Sequence, residues 1–354
     1  MRRPRDGDGL TYILPIRAAA PCTDGDLADY LRWLAPRAET IVVDGSPPAV
    51  FAAHAAAWGD HVRHVRPAAD LVTPMGKVGG VLTGVRLASH ERLIVADDDV
   101  RYDADSLARV AAALRTAHVV RPQNYFSPLP WHARWDTARM LLNRMTGGDW
   151  PGTLAVRRSV LRATGGYDGR VMFENLEMVR TVLAAGGREA VLLDAYVLRR
   201  PSTAHQFWSQ RVRQAYDELA RPGRLAAQLA LLPAAAALAA TGRWKTLAAA
   251  AATVVGVAEL GRRRGRGDRV FPVGASLLAP AWLVERAVCV WLALGARIAL
   301  GGIPYRGAVL RHAATPMRVL RARHGALRQP PATRPPATRP PGSPPGRGPR
   351  RRSA

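Results

Sequence analysis

The sequence predicts an α/β fold in its N-terminal part, followed by apolar helices and a basic tail. Between residues 11 and 214, apolar runs typical of buried strands alternate with segments of helical spacing. Such alternation is typical of a largely parallel sheet with helices on both faces. We expect an N-terminal tail over residues 1–9, the α/β domain over 10–222, membrane-associated helices over 223–312, and a basic, disordered Pro/Arg-rich tail over 313–354.

Local signals define each predicted element. Runs of aliphatic and β-branched residues indicate strands, and apolar residues three or four positions apart indicate helices. Thr23 or Asp24 is expected to cap the first helix, and the Gly-rich residues 76–80 indicate a flexible loop before an apolar helix. In chain order we expect strands over residues 11–15, 40–46, 61–65, 92–96, 119–125, 153–156 and 190–194, and helices over 24–34, 49–58, 81–89, 104–115, 131–145, 173–185 and 205–214.

The most informative stretch is residues 92–105, where a short apolar run ends in Asp97, Asp98 and Asp99. Adjacent carboxylates repel one another, and a hard divalent cation such as Mg²⁺ or Mn²⁺ removes that penalty. Asp97 and Asp99 are two positions apart, so near a strand end they project to the same side. A solvated acidic turn that caps the next helix explains this stretch, taken alone, equally well.

A second acidic strand end favours the metal interpretation. Asp44 ends the run at residues 40–44 and precedes Gly45 and Ser46. Parallel α/β sheets bind ligands at the carboxyl ends of their strands. Asp44 and the three aspartates are predicted at the same sheet edge, which is harder to explain by coincidence than either strand end alone.

Three apolar segments follow the α/β domain, at residues 225–241, 246–260 and 271–300. The first two are at or below the usual length for crossing a bilayer, and their Ala-rich composition also suits buried helices. We favour membrane helices, because successive apolar segments separated by basic loops are unusual in a soluble domain. The third segment either folds back at Glu285 and Arg286 or lies at the membrane interface.

The expected location is the cell membrane, with several crossings and the catalytic domain in the cytoplasm. The basic loop at residues 261–269 is placed in the cytoplasm by the positive-inside rule, and no signal peptide is visible at the N-terminus. The two cysteines, Cys22 and Cys289, provide no disulfide framework.

The formal net charge of +24 is concentrated toward the C-terminus, since all charged side chains after the last carboxylate, Glu285, are arginines. This charge can attract anionic lipid, nucleotide phosphate or nucleic acid. A nucleic-acid partner is not expected, because arginines are concentrated in a Pro-rich tail and no recognition motif interleaves them with aromatic residues.

Seven short pieces follow one another along residues 11–214. They are Leu14-Pro15, Asp44-Gly45-Ser46, residues 76–80, residues 97–99, residues 165–168, Glu174-Asn175 and residues 210–214. In this order and spacing they resemble the family 2 glycosyltransferases of the GT-A fold, a Rossmann-like fold of nucleotide-diphospho-sugar transferases. The segment at residues 301–307 is also similar to the element that follows the membrane helices in integral-membrane members.

The resemblance implies an inverting, metal-dependent hexosyltransferase-like enzyme that moves a sugar from a nucleotide sugar to a lipid or a lipid-linked envelope acceptor. Asp97 and Asp99 would hold Mn²⁺ or Mg²⁺. The metal and arginine side chains would stabilise the leaving nucleoside diphosphate. The other residues that the resemblance implies in donor binding are Pro15, Asp44, Lys77, Asp98, Gln210, Arg211 and Arg213.

Two departures from the family pattern concern the acceptor side. Asn175 stands where the family has its catalytic aspartate, and an amide cannot act as a general base. Glu174, Glu177 or Asp149 could supply the base instead. Gln214 stands where the family motif has a tryptophan. Asn175 also motivates an alternative, a non-catalytic nucleotide-binding membrane scaffold protein.

Overall fold

The computed structural model describes residues 9–23 and 25–325. Asp24 and most of both predicted tails, residues 1–8 and 326–354, lie outside the described residues. The strands are β1 Leu10–Ile16, β2 Glu39–Asp44, β3 Arg63–Val65, β4 Arg92–Ala96, β5 Val100–Arg101, β6 Val119–Phe126, β7 Thr153–Arg157, β8 Glu189–Arg199, β9 Ile303–Tyr305 and β10 Ala308–Leu310.

Helices occupy most of the remaining described chain, with short 3-10 turns at Ala69–Leu71, Asp217–Ala220 and Arg264–Arg269. The helices are α1 Asp26–Leu34, α2 Pro48–Trp58, α3 Gly76–Leu87, α4 Ala104–Ala113, α5 Trp131–Met145, α6 Arg158–Ala163, α7 Glu174–Ala184, α8 Ala204–Tyr216, α9 Pro222–Ala240, α10 Trp244–Arg263, α11 Val273–Leu277, α12 Ala279–Ala299 and α13 Met317–His324.

The predicted α/β fold is confirmed, but the sheet is mixed rather than parallel throughout. Within the described residues its strand order is β3-β2-β1-β4-β7-β6-β8-β5. Strands β1 to β4 pair in parallel, whereas β7 runs antiparallel to both β4 and β6. The register pairs Ala96 at the end of β4 with Thr153 at the start of β7. The loop before β7 therefore joins the edge at which β1, β2 and β4 end.

Side chains on the two faces of the sheet enter different hydrophobic clusters. Along β1, Tyr12 and Leu14 pack into one cluster with the helices α1 and α4, while Ile13 packs into the other with α3 and α7. Because successive side chains of a strand point to opposite faces, apolar residues without alternation bury both faces. This burial leaves only the strand ends free to form a site.

Residues 76–80 are helical, which corrects the predicted flexible loop. An added Cβ would lie 2.3 Å from the Leu71 carbonyl oxygen at Gly79, 2.9 Å from Pro15 Cβ at Gly80, and 2.4 Å from Ile13 Cγ2 at Gly84. These glycines let α3 pack closely against β1 and the preceding turn. They serve close approach and not flexibility, and the packing places Lys77 in the first turn of a helix at the sheet edge.

The apolar segments form α9, α10 and α12. By length and composition, α9 and α12 are the two helices of the described chain that could cross a membrane. Helix α12 is continuous through Glu285 and Arg286, so the chain does not fold back there. It packs against α8, α5 and α9, and Arg211 of α8 forms an ion pair with Glu285. These contacts hold α12 against the α/β domain.

The chain after α12 returns to the α/β domain. Residues 313–325, which the sequence assigned to a disordered tail, include α13, which packs on α7. Leu320 of α13 is buried, and the Thr315 N–H donates to Glu177 Oε2 over 2.7 Å. A buried leucine and a buried acceptor order this segment, and neither signal was recognised among its arginines.

Candidate functional site

A cavity of about 910 Å³ opens at the edge where the strands end. Two groups of its lining residues carry most of the charge. The sheet-edge group consists of Lys77, Asp97, Asp98, Asp99, Glu174 and Arg199. The helix group consists of Asp217, Glu218, Arg221, Arg224, Trp282 and Arg286, from the turn after α8, from α9 and from α12.

Lys77 joins three elements of the sheet-edge group. Its Nζ lies 2.6 Å from Asp97 Oδ1 and 2.8 Å from Glu174 Oε1, which links α3, the end of β4 and the start of α7. Desolvation acts to lower the pKa of Lys77, but the Asp97 and Glu174 carboxylates outweigh it and raise that pKa. Lys77 is therefore a fixed cation at the cavity wall.

Arg199, at the end of β8, holds the aspartates from the other side. Its Nε donates to Asp99 Oδ2 over 2.9 Å and its Nη2 to Asp97 Oδ2 over 3.4 Å. Desolvation is the largest effect on Asp99 and raises its pKa; Arg199 opposes this shift and Asp97 adds to it. Sequence reasoning missed Arg199, because the strand was predicted to end at residue 194 whereas β8 continues to Arg199.

Asp99 Oδ1 is buried and has no hydrogen-bond partner among the described residues. A buried carboxylate oxygen without a partner is costly unless a ligand or ion satisfies it. Oxygen ligands from adjacent carboxylates are the set that Mg²⁺ and Mn²⁺ prefer. The residues present thus fit a divalent cation at Asp97 and Asp99.

Gly152 makes room for this arrangement. A Cβ at residue 152 would lie 2.9 Å from Asp97 Oδ2 and 3.0 Å from Arg199 Cζ. The Gly152 carbonyl accepts from the Asp97 N–H over 2.8 Å, and its own N–H donates to Asn124 Oδ1 over 2.7 Å. The backbone of this loop therefore forms a wall of the aspartate site, a role that its sequence did not reveal.

The structure brings most of the predicted site residues to the cavity. Those that line it are Pro15, Lys77, Asp97, Asp98, Asp99, Glu174, Gln210 and Arg213. Asn175 also lines it, and its Nδ2 donates to the Pro151 carbonyl over 3.0 Å. The other predicted residues, Asp44, Asp149, Glu177 and Arg211, are not among its lining.

Asp44 is fully buried and its oxygens are already occupied. Its Oδ2 accepts from His54 Nδ1 over 2.7 Å and from His64 Nε2 over 3.0 Å, and its Oδ1 accepts from the Ser46 N–H over 2.8 Å. Although desolvation raises the pKa of Asp44, hydrogen bonds from Ser46 and His54 outweigh it and lower that pKa. Only the neighbouring Gly45 and Val43 reach the cavity.

The cluster of Asp44, His54 and His64 has ligand atoms within 4.8 Å of one another, a set compatible with a divalent metal. In the structure the three side chains are joined by direct hydrogen bonds. The Cys22 N–H also donates to His54 Nε2 over 3.0 Å, so His54 Nδ1 carries the proton that it gives to Asp44. The cluster ties α2 and β3 to the end of β2.

Three other predicted residues are committed to interior contacts. Asp149 Oδ1 accepts from Arg139 Nη1 over 2.7 Å and from Asn143 Nδ2 over 2.8 Å. Glu177 is fully buried and faces Thr315. Arg211 is buried against Glu285 and Asp136. Helical spacing placed Glu177 near the face of Glu174, but α13 covers that position.

The helix group was also missed, because it is assembled from separate segments of the chain. Asp217 and Glu218 follow α8 directly, while Trp282 and Arg286 lie one helical turn apart on α12. Burial, with Glu174 nearby, raises the pKa of Asp217 well above its ordinary value. The short spacing between Arg221 and Arg224 at the start of α9 was a visible signal of a basic cluster.

The fold is similar to that of known glycosyltransferases. A mannosyltransferase, PcManGT from Pyrobaculum calidifontis, in complex with GDP-Man and Mn²⁺, matches with a TM-score of 0.53 and 21% identity over 80% of this chain and 86% of that one. TarS of S. aureus, residues 1–349 with UDP-GlcNAc, matches with a TM-score of 0.39 and 14% identity over 57% of this chain and 61% of that chain. No protein-family model and no curated protein matches the sequence. The match to the mannosyltransferase shows that the chain shares the fold of that protein.

Proposed function

We propose that the protein is a membrane-bound glycosyltransferase of the GT-A, family 2 type, which moves a sugar from a nucleotide sugar to a lipid or lipid-linked acceptor with inversion. The observation that carries the proposal is the pair Asp97 and Asp99 in a cavity at the sheet edge, with Asp99 Oδ1 buried and unpartnered. The similarity to a mannosyltransferase whose complex holds GDP-Man and Mn²⁺ supports a nucleotide-sugar donor and a divalent cation.

Asp97 and Asp99 would hold the cation, which when bound neutralises charge on the leaving diphosphate. Lys77, Gln210 and Arg213 line the same cavity and supply donors for the diphosphate oxygens. Arg199 already holds both aspartates, so it limits their repulsion and orients them before a donor arrives. Such preorganised charge is the main source of transition-state stabilisation in this kind of reaction.

For a hydroxyl acceptor, Glu174 is the best placed of the predicted bases. It lines the cavity, whereas Glu177 and Asp149 are engaged in the interior. The ion pair with Lys77, at 2.8 Å, holds the Glu174 carboxylate in position at the cavity wall. Removal of the acceptor proton by a positioned carboxylate would let the acceptor oxygen attack the anomeric carbon as the diphosphate leaves.

The apolar helices support a membrane location. Only 6% of the apolar stretch of α9 is buried in the protein, compared with 39% of the apolar stretch of α12. Trp244, the first residue of α10, is 64% exposed and lies between Arg243 and Lys245. A tryptophan flanked by cations is typical of the membrane–water interface. We propose that α9 enters the bilayer with the exposed start of α10 beside it. Helix α12, which is also long and apolar enough to cross a membrane, would lie against the catalytic domain.

Asn175 favours a second candidate function, a non-catalytic nucleotide-binding membrane scaffold. The amide stands at the position of the family's base and holds the Pro151 carbonyl. A scaffold would bind the nucleotide without turnover. Replacing Glu174 by Gln would then leave the cellular function unchanged, whereas the enzyme needs that carboxylate if its acceptor is a hydroxyl.

The deciding experiment measures nucleotide binding and sugar transfer in the full chain. Thermal shifts with nucleoside diphosphates, with and without Mn²⁺, identify the donor class. Labelled nucleotide sugars then report transfer or hydrolysis. Asp99→Ala should abolish the Mn²⁺-dependent shift and the turnover, while Asp105→Ala, on an exposed helical position nearby, should preserve both. Equal binding and turnover in Asp99→Ala would refute the proposed site.

A further inference from the structure

Arg286 is a buried cation in the cavity, and no carboxylate of the described residues forms an ion pair with it. Its side chain lies on α12, is only 3% exposed and lines the cavity. Its Nε and Nη1 have no hydrogen-bond partner among the described residues. Burying a guanidinium without a partner is strongly unfavourable. The arrangement therefore indicates a place that an anionic ligand completes.

Two neighbouring groups also present unused donors. Trp282, one turn earlier on α12, is 2% exposed, lines the cavity and has its indole Nε1 unpartnered in the described chain. The Arg286 guanidinium lies 5.1 Å from the Trp282 ring centroid, which restricts both side chains. Arg221 Nε is likewise buried and without a hydrogen-bond partner there. Arg286, Trp282 and Arg221 are donors, so the partner that they lack is an acceptor. Asp217 Oδ1 and Glu218 Oε2 of the same group also have no hydrogen-bond partner in the described chain.

The acidic residues around Arg286 do not neutralise it. Glu218 is paired with Arg221 and Arg224 over 2.9 and 3.2 Å. Asp217 lines the same group, but burial and Glu174 raise its pKa, which favours its uncharged form. The remaining nearby pairs, all between other partners, are Asp136 with Arg139 and Arg211, Asp149 with Arg139, and Glu285 with Arg211.

We propose that the helix group of the cavity binds the phosphate monoester head of an amphiphilic acceptor. The inference rests on the proposed function, since it identifies the acceptor class of the same cavity. Arginine forks match the tetrahedral oxygens of phosphate, and several arginines provide more donors than one carboxylate can accept. Arg221, Arg224 and Arg286 of the helix group supply these donors.

The position of the helix group explains why the ligand is amphiphilic. Arg221 immediately precedes α9 and Arg286 lies within α12, the two helices that are apolar and long enough for a membrane. Val284 and Leu292 of α12 are 47% and 55% exposed on the same helix that carries buried Arg286. A phosphate held by the arginines would thus leave its hydrocarbon chain beside apolar helices.

A phosphate acceptor also accounts for the absence of a carboxylate at Asn175. An oxygen of the phosphate dianion attacks the anomeric carbon and forms the new C–O bond. The bond to the nucleoside diphosphate breaks, and its electron pair leaves with the diphosphate. Because the attacking oxygen carries no proton at neutral pH, no general base is required at that position.

The experiment measures binding of dodecyl phosphate, dodecanoate and dodecanol to the full chain in a neutral detergent by calorimetry. Wild type should bind dodecyl phosphate about ten-fold more tightly than dodecanoate, and Arg286→Gln should lose about ten-fold in affinity for dodecyl phosphate alone. Arg297→Gln on the same helix is the matched control, since Arg297 is not part of the cavity lining and contacts the Gly301 carbonyl. It should bind as wild type does.

Two further arms separate the possible failures. Nucleoside diphosphate binding with Mn²⁺ should be the same in Arg286→Gln as in wild type. If wild type and the variants all fail to bind the nucleoside diphosphate, the proposed function is refuted, and the phosphate site is still tested by the amphiphiles. If Arg286→Gln fails to fold, Arg224→Gln tests the same site from α9. Equal affinity of the variant and wild type for dodecyl phosphate, or equal binding of all three amphiphiles, overturns the proposal.

Labelled nucleotide sugars, added to the same samples, test whether the phosphate oxygen is the nucleophile. Label should be transferred to dodecyl phosphate and not to dodecanol. Label in dodecanol, or in neither while dodecyl phosphate binds, overturns the assignment of the phosphate oxygen as nucleophile.

Discussion

Asp44 is the last residue of β2 and Asp99 lies just after β4, at the same edge of the sheet, yet their surroundings differ. Asp44 is fully buried, and its two oxygens accept from Ser46, His54 and His64. Asp99 lines the cavity, and one of its oxygens has no partner in the described chain. The first carboxylate is satisfied by the fold, whereas the second has capacity left for a ligand.

This difference shows that a strand end locates a carboxylate but does not assign its role. The role depends on whether side chains from elsewhere in the chain occupy its lone pairs. Two histidines on α2 and β3 do so for Asp44, while Lys77 and Arg199 leave Asp99 Oδ1 without a partner in the described chain. The same chemical change at the two sites should therefore have opposite consequences.

Asp99→Asn should produce the largest functional effect. The amide keeps the shape but removes the charge that holds the cation, and we expect transfer to fall about 10²- to 10³-fold. Stability should change little, because the substitution also removes repulsion from Asp97 and Asp98. Initial rates with Mn²⁺ and chemical denaturation measure the two quantities. Loss of stability with unchanged activity would make Asp99 a structural residue like Asp44.

Asp44→Asn should reduce stability and leave nucleotide binding nearly intact. An amide nitrogen in place of Oδ2 would face the donors of His54 and His64, and a broken buried network of this kind costs about 2–4 kcal/mol. Urea unfolding monitored by tryptophan fluorescence measures the loss. A drop in nucleoside diphosphate affinity of more than about ten-fold, at unchanged stability, would instead place Asp44 on the donor.

Gly152→Ala tests how closely the aspartate site is enclosed. The new methyl group would meet Asp97 Oδ2 at 2.9 Å and Arg199 Cζ at 3.0 Å, so Asp97 must move. We expect about ten-fold weaker Mn²⁺ binding, measured by calorimetry. Gly274→Ala is the matched control, because nothing lies within 4 Å of its added Cβ. Unchanged metal affinity in Gly152→Ala would show that Asp97 is not required in its observed position.

The smallest expected effect is the contribution of Asp44 to the pH dependence of the free energy of unfolding. Its hydrogen bonds lower its pKa in the folded state below the value of about 3.9 for an unfolded chain. The resulting stabilisation is complete above the unfolded pKa and is lost as the pH falls through the folded pKa. The stability gap between wild type and Asp44→Asn should therefore narrow below about pH 4. His54 and His64 face the carboxylate and are unchanged in both proteins. A gap that stays constant from pH 7 to 3 would contradict this account.

Local sequence was sufficient to predict most of the strands and helices and to place the aspartates at the sheet edge. The run at residues 92–96 and the aspartates after it are contiguous, so their placement needs no distant partner. Arg199 lies about a hundred residues later in the chain, and the helix group comes from two separate segments, residues 217–224 and 282–286. Their convergence depends on strand order and helix packing, which periodicity does not specify.

The glycines of α3 illustrate a different limit. Several glycines in five residues are typical of a mobile loop, but here they allow a helix to approach β1. The difference is decided by what lies opposite each Cα, and that information is tertiary. The antiparallel course of β7 is hidden for the same reason, since a buried apolar strand has the same composition in either direction.

The return of the chain to the α/β domain after α12 has a mechanical consequence. The segment at residues 222–299 leaves from the end of α8 and rejoins at α13, which is held on α7 by buried Leu320 and the Thr315–Glu177 hydrogen bond. A domain that is joined to membrane helices by one stretch of chain can pivot. A domain that holds both ends of the helical segment cannot. With the helical segment in a bilayer, the mouth of the cavity would keep a constant height and tilt relative to the membrane surface. The head of an acceptor would then have to move out of the membrane to reach the cavity.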